Sequence, residues 1–184
     1  NPSLFFPVST AAREDARARL QKLRPGCRQF AVLHLCSKSF QHGWNAPAFA
    51  VLAERLQCLC PETGWVVTAG PAEEPFLPVY RESLSGIGVP VATGLQLTDM
   101  AALLSQVRLL VSWDTGVVHL ADAVGTPAVD IFPDKSFAYC VQRWGPWGKN
   151  AAVVEQVGDS LAEPQISAIL SPVTDKIVEQ LPLQ

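Results

Sequence analysis

The residues best placed to do chemistry lie in one short stretch, Asp114-Thr115-Gly116 followed by His119. Ahead of it, residues 107–111 are apolar except for Arg108, which reads as a buried strand. Behind it, residues 117–124 carry apolar side chains at helical spacing, and Gly125 stands where a glycine would end the helix. A strand that turns sharply into a helix leaves unpaired backbone N–H groups at the helix start, and the helix dipole adds partial positive charge there. An anion, most naturally a phosphate, is favoured at such a place. Thr115 and Gly116 would present the amides, Thr115 adds a hydroxyl, and Gly116 puts no Cβ in the ligand's way. A local reading competes with this one: Asp114 caps the helix and Gly116 makes the turn. His119 falls in the first helical turn, where the dipole disfavours imidazolium. It either hydrogen-bonds a ligand as neutral imidazole or packs half-buried on the sheet.

Two further groups follow strand-like runs. After the predicted strand at 29–35 comes a polar loop at 36–45, where Ser37 offers a hydroxyl and Lys38 or His42 a positive charge for phosphate. It should lie beside the central turn at the same sheet edge, unless it is simply a solvated loop. After the predicted strand at 65–69 comes Gly70-Pro71-Ala72-Glu73-Glu74. A carboxylate there suits ribose hydroxyls, as in dinucleotide folds, or serves only as an acid in the first turn of a helix.

The elements that must position these groups alternate along the chain. Helices are expected at 11–23 (capped by Ser9 or Thr10), 46–59, 73–84, 99–106 (capped by Thr98) and 117–124. A last helix is expected from Ser171-Pro172 to Leu181. Strands are expected at 29–35, 65–69, 89–92, 107–111, 128–132 and 151–155. Residues 133–150 read as an aromatic-rich loop whose Tyr139, Trp144 and Trp147, near Arg143, either cover the sheet end or face a partner domain or acceptor. The pattern predicts an α/β fold: a Rossmann-like parallel sheet with helices on both faces.

With 184 residues and a net charge of −3, the chain has the size of one domain and lacks the basic balance of a nucleic-acid binder. No apolar run approaches the length of a membrane span. Five irregularly spaced cysteines suit reduced thiols in a cytoplasmic protein better than a zinc site, so no metal is expected. The first strand is not followed by Gly-x-Gly-x-x-Gly, which argues against a nicotinamide dehydrogenase.

The run from Asp114 to Pro127, Asp-Thr-Gly-x-x-His-Leu-Ala-x-Ala-x-Gly-x-Pro, closely resembles the signature of the ADP-heptose:lipopolysaccharide heptosyltransferases, glycosyltransferase family nine. A weaker similarity extends over residues 30–181. The resemblance implies one half of a GT-B fold, the C-terminal donor-binding domain, spanning 1–184 with a linker at 1–8 and the N-terminal acceptor domain absent from this chain. It implies transfer of heptose or a related sugar from an ADP-sugar to a lipopolysaccharide core acceptor, with no cofactor and no catalytic residue in this portion. By it, Asp114 contacts the sugar hydroxyls, Thr115 and Gly116 hold the diphosphate, and His119 faces the donor. Glu73 approaches the nucleoside and Leu95 flanks the adenine. The family carries a basic residue shortly before a tryptophan. Here Trp44 is kept but His42-Gly43 stands before it, so Lys38 or His42 takes that role, or donor binding is weakened. The resemblance also implies a bacterial, cytoplasmic enzyme, peripheral on the cytoplasmic face of the inner membrane. The alternative is a degenerate, non-catalytic domain of the same fold acting as a binding or interaction module.

Overall fold

In the computed structural model, which describes residues 4–158 and 162–178, the strands are β1 (Gln29–Leu35), β2 (Thr63–Ala69), β3 (Val91–Ala92), β4 (Leu109–Ser112), β5 (Ala128–Pro133) and β6 (Ala151–Gln156). The helices are α1 (Thr10–Leu23), α2 (Ser37–Gln41), α3 (Ala46–Leu59), α4 (Leu77–Ser85), α5 (Leu97–Leu104), α6 (Gly116–Val124), α7 (Phe137–Trp144) and α8 (Glu163–Val178). The strands form one sheet in the order β3-β2-β1-β4-β5-β6, and every pairing is parallel. β2 and β4 are buried along their whole length, as strands covered on both faces must be.

Alternation along the strands splits the core in two. Leu33, Trp65, Val67, Val111 and Ile131 face one side, packed with residues of α3, α4 and α8. Phe30, Val32, Val66, Leu110 and Ala128 face the other, packed with residues of α1, α5 and α6. The expected Rossmann-like sheet with helices on both faces is therefore present. From β1 the order runs outward through β2 to β3, and from β4 outward through β5 to β6. The connections leaving β1 and β4 diverge, which opens a crevice between their C-terminal ends, the ligand position of such sheets.

Local signals hold where caps are local. Ser9 Oγ accepts the Ala12 N–H at 3.2 Å, Asn45 Oδ1 accepts the Ala48 N–H at 3.1 Å, and Gly125 closes α6 at φ +82°. Elsewhere the structure departs from the sequence reading. The loop expected at 36–45 contains α2, because the Ser37 N–H is accepted by Glu73 from another loop and Ser39 Oγ bonds the Cys36 carbonyl at 2.6 Å. The helix expected at 73–84 opens as a tight 3₁₀ turn over Pro71–Phe76, because Pro75 has no N–H for a regular α ladder. α5 starts at Leu97 rather than at a Thr98 cap: Asp99 accepts the Gln96 N–H at 3.1 Å. β3 loses its first residues because the Val89 N–H turns back to Leu84 O at 3.2 Å. The aromatic segment at 133–150 contains α7 instead of being a loop throughout. α8 begins at Glu163, not at Ser171, and runs through Pro172. Its stripe of Ile166, Ile169, Val173 and Ile177 is buried on the sheet, which offsets the roughly 3 kcal/mol that an internal proline costs. The expected end at Leu181 lies outside the described residues.

Candidate functional site

At the C-terminal end of β4, Trp113 leads into the turn. Asp114 sits at φ +30°, the only left-handed non-glycine among the described residues. Its N–H donates to Asp130 Oδ1 at 2.7 Å, and its carboxylate pairs through Oδ2 with Lys38 Nζ, which reaches across from α2. Thr115 is the N-cap of α6 in extended geometry, its Oγ1 3.0 Å from Ser112 Oγ. Asp114 thus does not cap the helix, and no side chain does. Nor does Gly116 make the turn. Its backbone is not left-handed, and a Cβ built there meets nothing within 4 Å. The strained position is Asp114, and Gly116 opens the helix facing free space. First-turn amides have no partner inside a helix, so the amides of Gly116 and Val117 are left for a ligand or water. His119 is half-buried one turn along.

Glu73 is buried, and both its oxygens are taken by main-chain amides: Oε1 by Ser37 N–H at 2.8 Å, Oε2 by Gly70 N–H at 3.1 Å. It clamps the connections leaving β1 and β2 together, while the neighbouring Glu74 is exposed. His42 closes the C-terminal end of α2, its carbonyl accepting from Gln156 Nε2 at 2.7 Å on β6. Leu95 lies on the far flank, half-buried in a groove of about 150 Å³ between α1 and α5. Lys38, with Ser37 and Glu73 beside it, therefore meets the Asp114-Thr115-Gly116 turn, whereas Leu95 lies in the α1–α5 groove and His42 at the end of α2.

Two buried polar residues escaped the sequence reading. Asp130, on β5, is 1% exposed, and burial pushes its carboxyl up to about 8. The Asp114 amide opposes that rise, the Asp114 charge adds to it, and Lys38 opposes it. His34, on β1, has Nδ1 2.9 Å from Thr68 Oγ1, its partner in register on β2. Burial lowers its pKa to about 4, so it is a neutral imidazole. Asp130 is the one polar residue of the apolar run of β5, and His34 stands one residue from the C-terminal end of β1, and that was the available signal. Tyr139, Trp144 and Trp147 do not cover the sheet end: they are 60%, 51% and 59% exposed, and Arg143 lies over the Trp144 ring at 5.1 Å. α7 buries none of its residues, so its aromatic rings lie on the solvent side. Among the described residues, no group of three His, Cys, Asp or Glu side chains could hold a metal ion, and no helix is long and apolar enough to cross a membrane.

A parallel sheet whose central crevice gathers a helix start, a lysine and an aspartate defines a Rossmann-type domain suited to an anionic ligand bearing hydroxyls. Residues 5–168 match Glycosyltransferase family 9 (heptosyltransferase), and the chain belongs to that family. It is 24% identical over 127 residues to lipopolysaccharide heptosyltransferase 3 of Escherichia coli, an alignment covering 67% of this chain and 35% of that protein. In fold it is similar to a family 9 glycosyl transferase from Veillonella parvula, with TM-score 0.76 and 19% identity over 98% of this chain and 55% of the other. It is also similar to E. coli ADP-heptose lipopolysaccharide heptosyltransferase II, with TM-score 0.72 and 16% identity over 96% and 54%. E. coli heptosyltransferase WaaC, solved with ADP, gives TM-score 0.65 and 21% identity over 88% and 48%. The chain thus spans about a third of the curated relative and about half of the solved ones.

Proposed function

We infer that this chain is the donor-binding half of a heptosyltransferase, holding an ADP-sugar in the crevice between β1 and β4. The observation that carries this reading is the start of α6, where open amides at Gly116 face the crevice with Lys38 and Asp114 beside them. That E. coli WaaC was solved with ADP and with ADP-2-deoxy-2-fluoro heptose supports the choice of nucleotide. Thr115 and Gly116 hold the diphosphate through backbone N–H groups, and Lys38 supplies the point charge. Asp114, released from Lys38 as phosphate arrives, accepts the sugar hydroxyls. His119 donates a hydrogen bond to the donor. Glu73 acts by holding the Ser37 connection in place, and Leu95 borders the adenine. In sugar transfer these groups stabilise the departing diphosphate. On this reading the residues named here bind the donor, and the sugar goes to a lipopolysaccharide core acceptor on the cytoplasmic face of the inner membrane.

Calorimetry with ADP and with NAD tests the reading. ADP should bind at least about tenfold more tightly, because NAD carries a second nucleoside where the sugar belongs. Equal affinities, or none for ADP, would overturn it.

The two cationic candidates separate by pH. Between pH 5.5 and 7.5 imidazole loses its charge and an ammonium keeps it. Lys38 Nζ meets Asp114 across the crevice, whereas the His42 main chain closes α2 and accepts from Gln156 of β6. Lys38→Ala should therefore weaken ADP binding about tenfold, the size of one charge-assisted contact, and His42→Ala should change it little. A steep loss of wild-type affinity over this range that disappears in His42→Ala would reverse the assignment.

A further inference from the structure

Asp130 has no part in the donor contacts above, yet it supports the residue on which they turn. It stands on β5 opposite Ser112 of β4 and Val153 of β6. Its carboxyl is buried beneath the crevice, and Oδ1 accepts the N–H of Asp114, the residue held at φ +30°. A left-handed backbone at a non-glycine persists only where its surroundings hold it. We propose that Asp130 is a positioning residue, whose buried carboxyl fixes the Asp114-Thr115 backbone so that the amides opening α6 face the crevice, while itself lying beneath a bound diphosphate.

The proton is what reconciles the two tasks. Burial pushes the carboxyl up to about 8, so near neutral pH it is uncharged. In that form Oδ1 still accepts the Asp114 amide, and no negative charge lies under the anion site. The charged groups acting on it are Asp114 on the turn and Lys38 on α2. Its neighbours in register, Ser112 and Val153, do not titrate in this range. Of the other elements packed on β5, α6 carries His119 and Asp122, α7 Tyr139, Cys140 and Arg143, α8 Glu163, Asp175 and Lys176, and β6 Glu155. Raising the pH through 8 ionises Asp130 and sets a carboxylate against the diphosphate. Affinity should then fall, and a bound anion should in turn raise the pKa of Asp130.

The charge arm of this inference rests on the nucleotide reading, whereas the backbone arm does not, and the experiment keeps them apart. NMR would follow the Asp114 amide from pH 6.5 to 9.5 in the wild-type chain, Asp130→Asn and Asp130→Ala, with ADP calorimetry at pH 7 and 9 on the same proteins. Asp130→Asn keeps the accepting oxygen and loses the titration. The Asp114 amide should shift with a midpoint near 8 in wild type and show no inflection in Asp130→Asn. It should exchange with solvent at least tenfold faster in Asp130→Ala than in Asp130→Asn. ADP should bind wild type on the order of tenfold more weakly at pH 9 than at pH 7, an effect absent from Asp130→Asn. An amide that does not titrate, or titrates equally in Asp130→Asn, overturns the proposal whether or not ADP binds. An amide that behaves as expected in a protein that binds no ADP at any pH sustains the positioning role and defeats the nucleotide reading. Wild-type ADP affinity that ignores pH while the amide titrates overturns the charge role.

Discussion

Truncating Trp113 to alanine should destabilise the fold by about 3–5 kcal/mol, a large share of the 5–15 kcal/mol that holds a typical domain. The indole is 1% exposed, with its ring 5.3 Å from that of Trp44 and 5.9 Å from that of Phe49. It belongs to the core under α3, and its carbonyl accepts from Cys36 Sγ at 3.6 Å, linking the ends of β1 and β4 beneath the crevice. A cavity there has rigid walls on every side, so little relaxation can offset it. The indole nitrogen is buried without a hydrogen-bond partner. Trp113→Phe gives up that orphan donor along with some volume, and should cost no more than about 1–1.5 kcal/mol. Trp44 supplies the contrast. Its Nε1 donates to Gln156 Oε1 at 2.9 Å, so Trp44→Phe leaves a buried amide oxygen unsatisfied and should cost more than Trp113→Phe. Urea unfolding with m-values compared across the variants measures all three. Trp113→Ala losing under about 1.5 kcal/mol would mean that this layer is not packed as described.

What was legible in the sequence follows from where each element's partners lie. β1 and α3 match their expected bounds because a nearly continuous apolar run and an Asn45 cap are both local. The order of alternating elements was enough to give the parallel sheet. α2 was illegible because its N-terminal acceptor, Glu73, belongs to the next crossover. The same contact changes the reading of Glu73 itself. A carboxylate expected either to approach the ribose or to sit in the first turn of a helix accepts from two amides, and only that of Gly70 was near in sequence. α8 was misplaced by obeying Pro172 over the stripe that runs through it. Asp130 went unremarked because an acid within an apolar strand means little until the strand next to it supplies an amide in a rare conformation. The central turn was recognised as a unit, but the local reading had Gly116 make the turn, whereas the left-handed residue is Asp114. Only the coordinates of the backbone could separate those two.

That separation gives the second large effect. Gly116→Val should lower ADP affinity by at least about a hundredfold while leaving the fold intact. Glycine is not required there by backbone geometry, since its φ lies outside the left-handed region and a Cβ meets nothing within 4 Å. The position is the first residue of α6, where valine's helix propensity costs only a few tenths of a kcal/mol relative to better helix formers. Stability should therefore change by less than about 1 kcal/mol. The space in front of Gly116 is empty of protein because, on the donor-binding reading, the diphosphate fills it. Two γ-methyl groups would occupy that space and keep a phosphate from reaching the amides of residues 116 and 117, removing two or more charge-assisted hydrogen bonds together. Gly116→Ala, which adds a single methyl, should fall between wild type and valine. Calorimetry with ADP, paired with urea unfolding of the same samples, reads both quantities. Undiminished ADP binding by a folded Gly116→Val chain would move the diphosphate away from α6. Loss of the fold along with binding would show that Gly116 is packed against protein and that the open helix start does not exist.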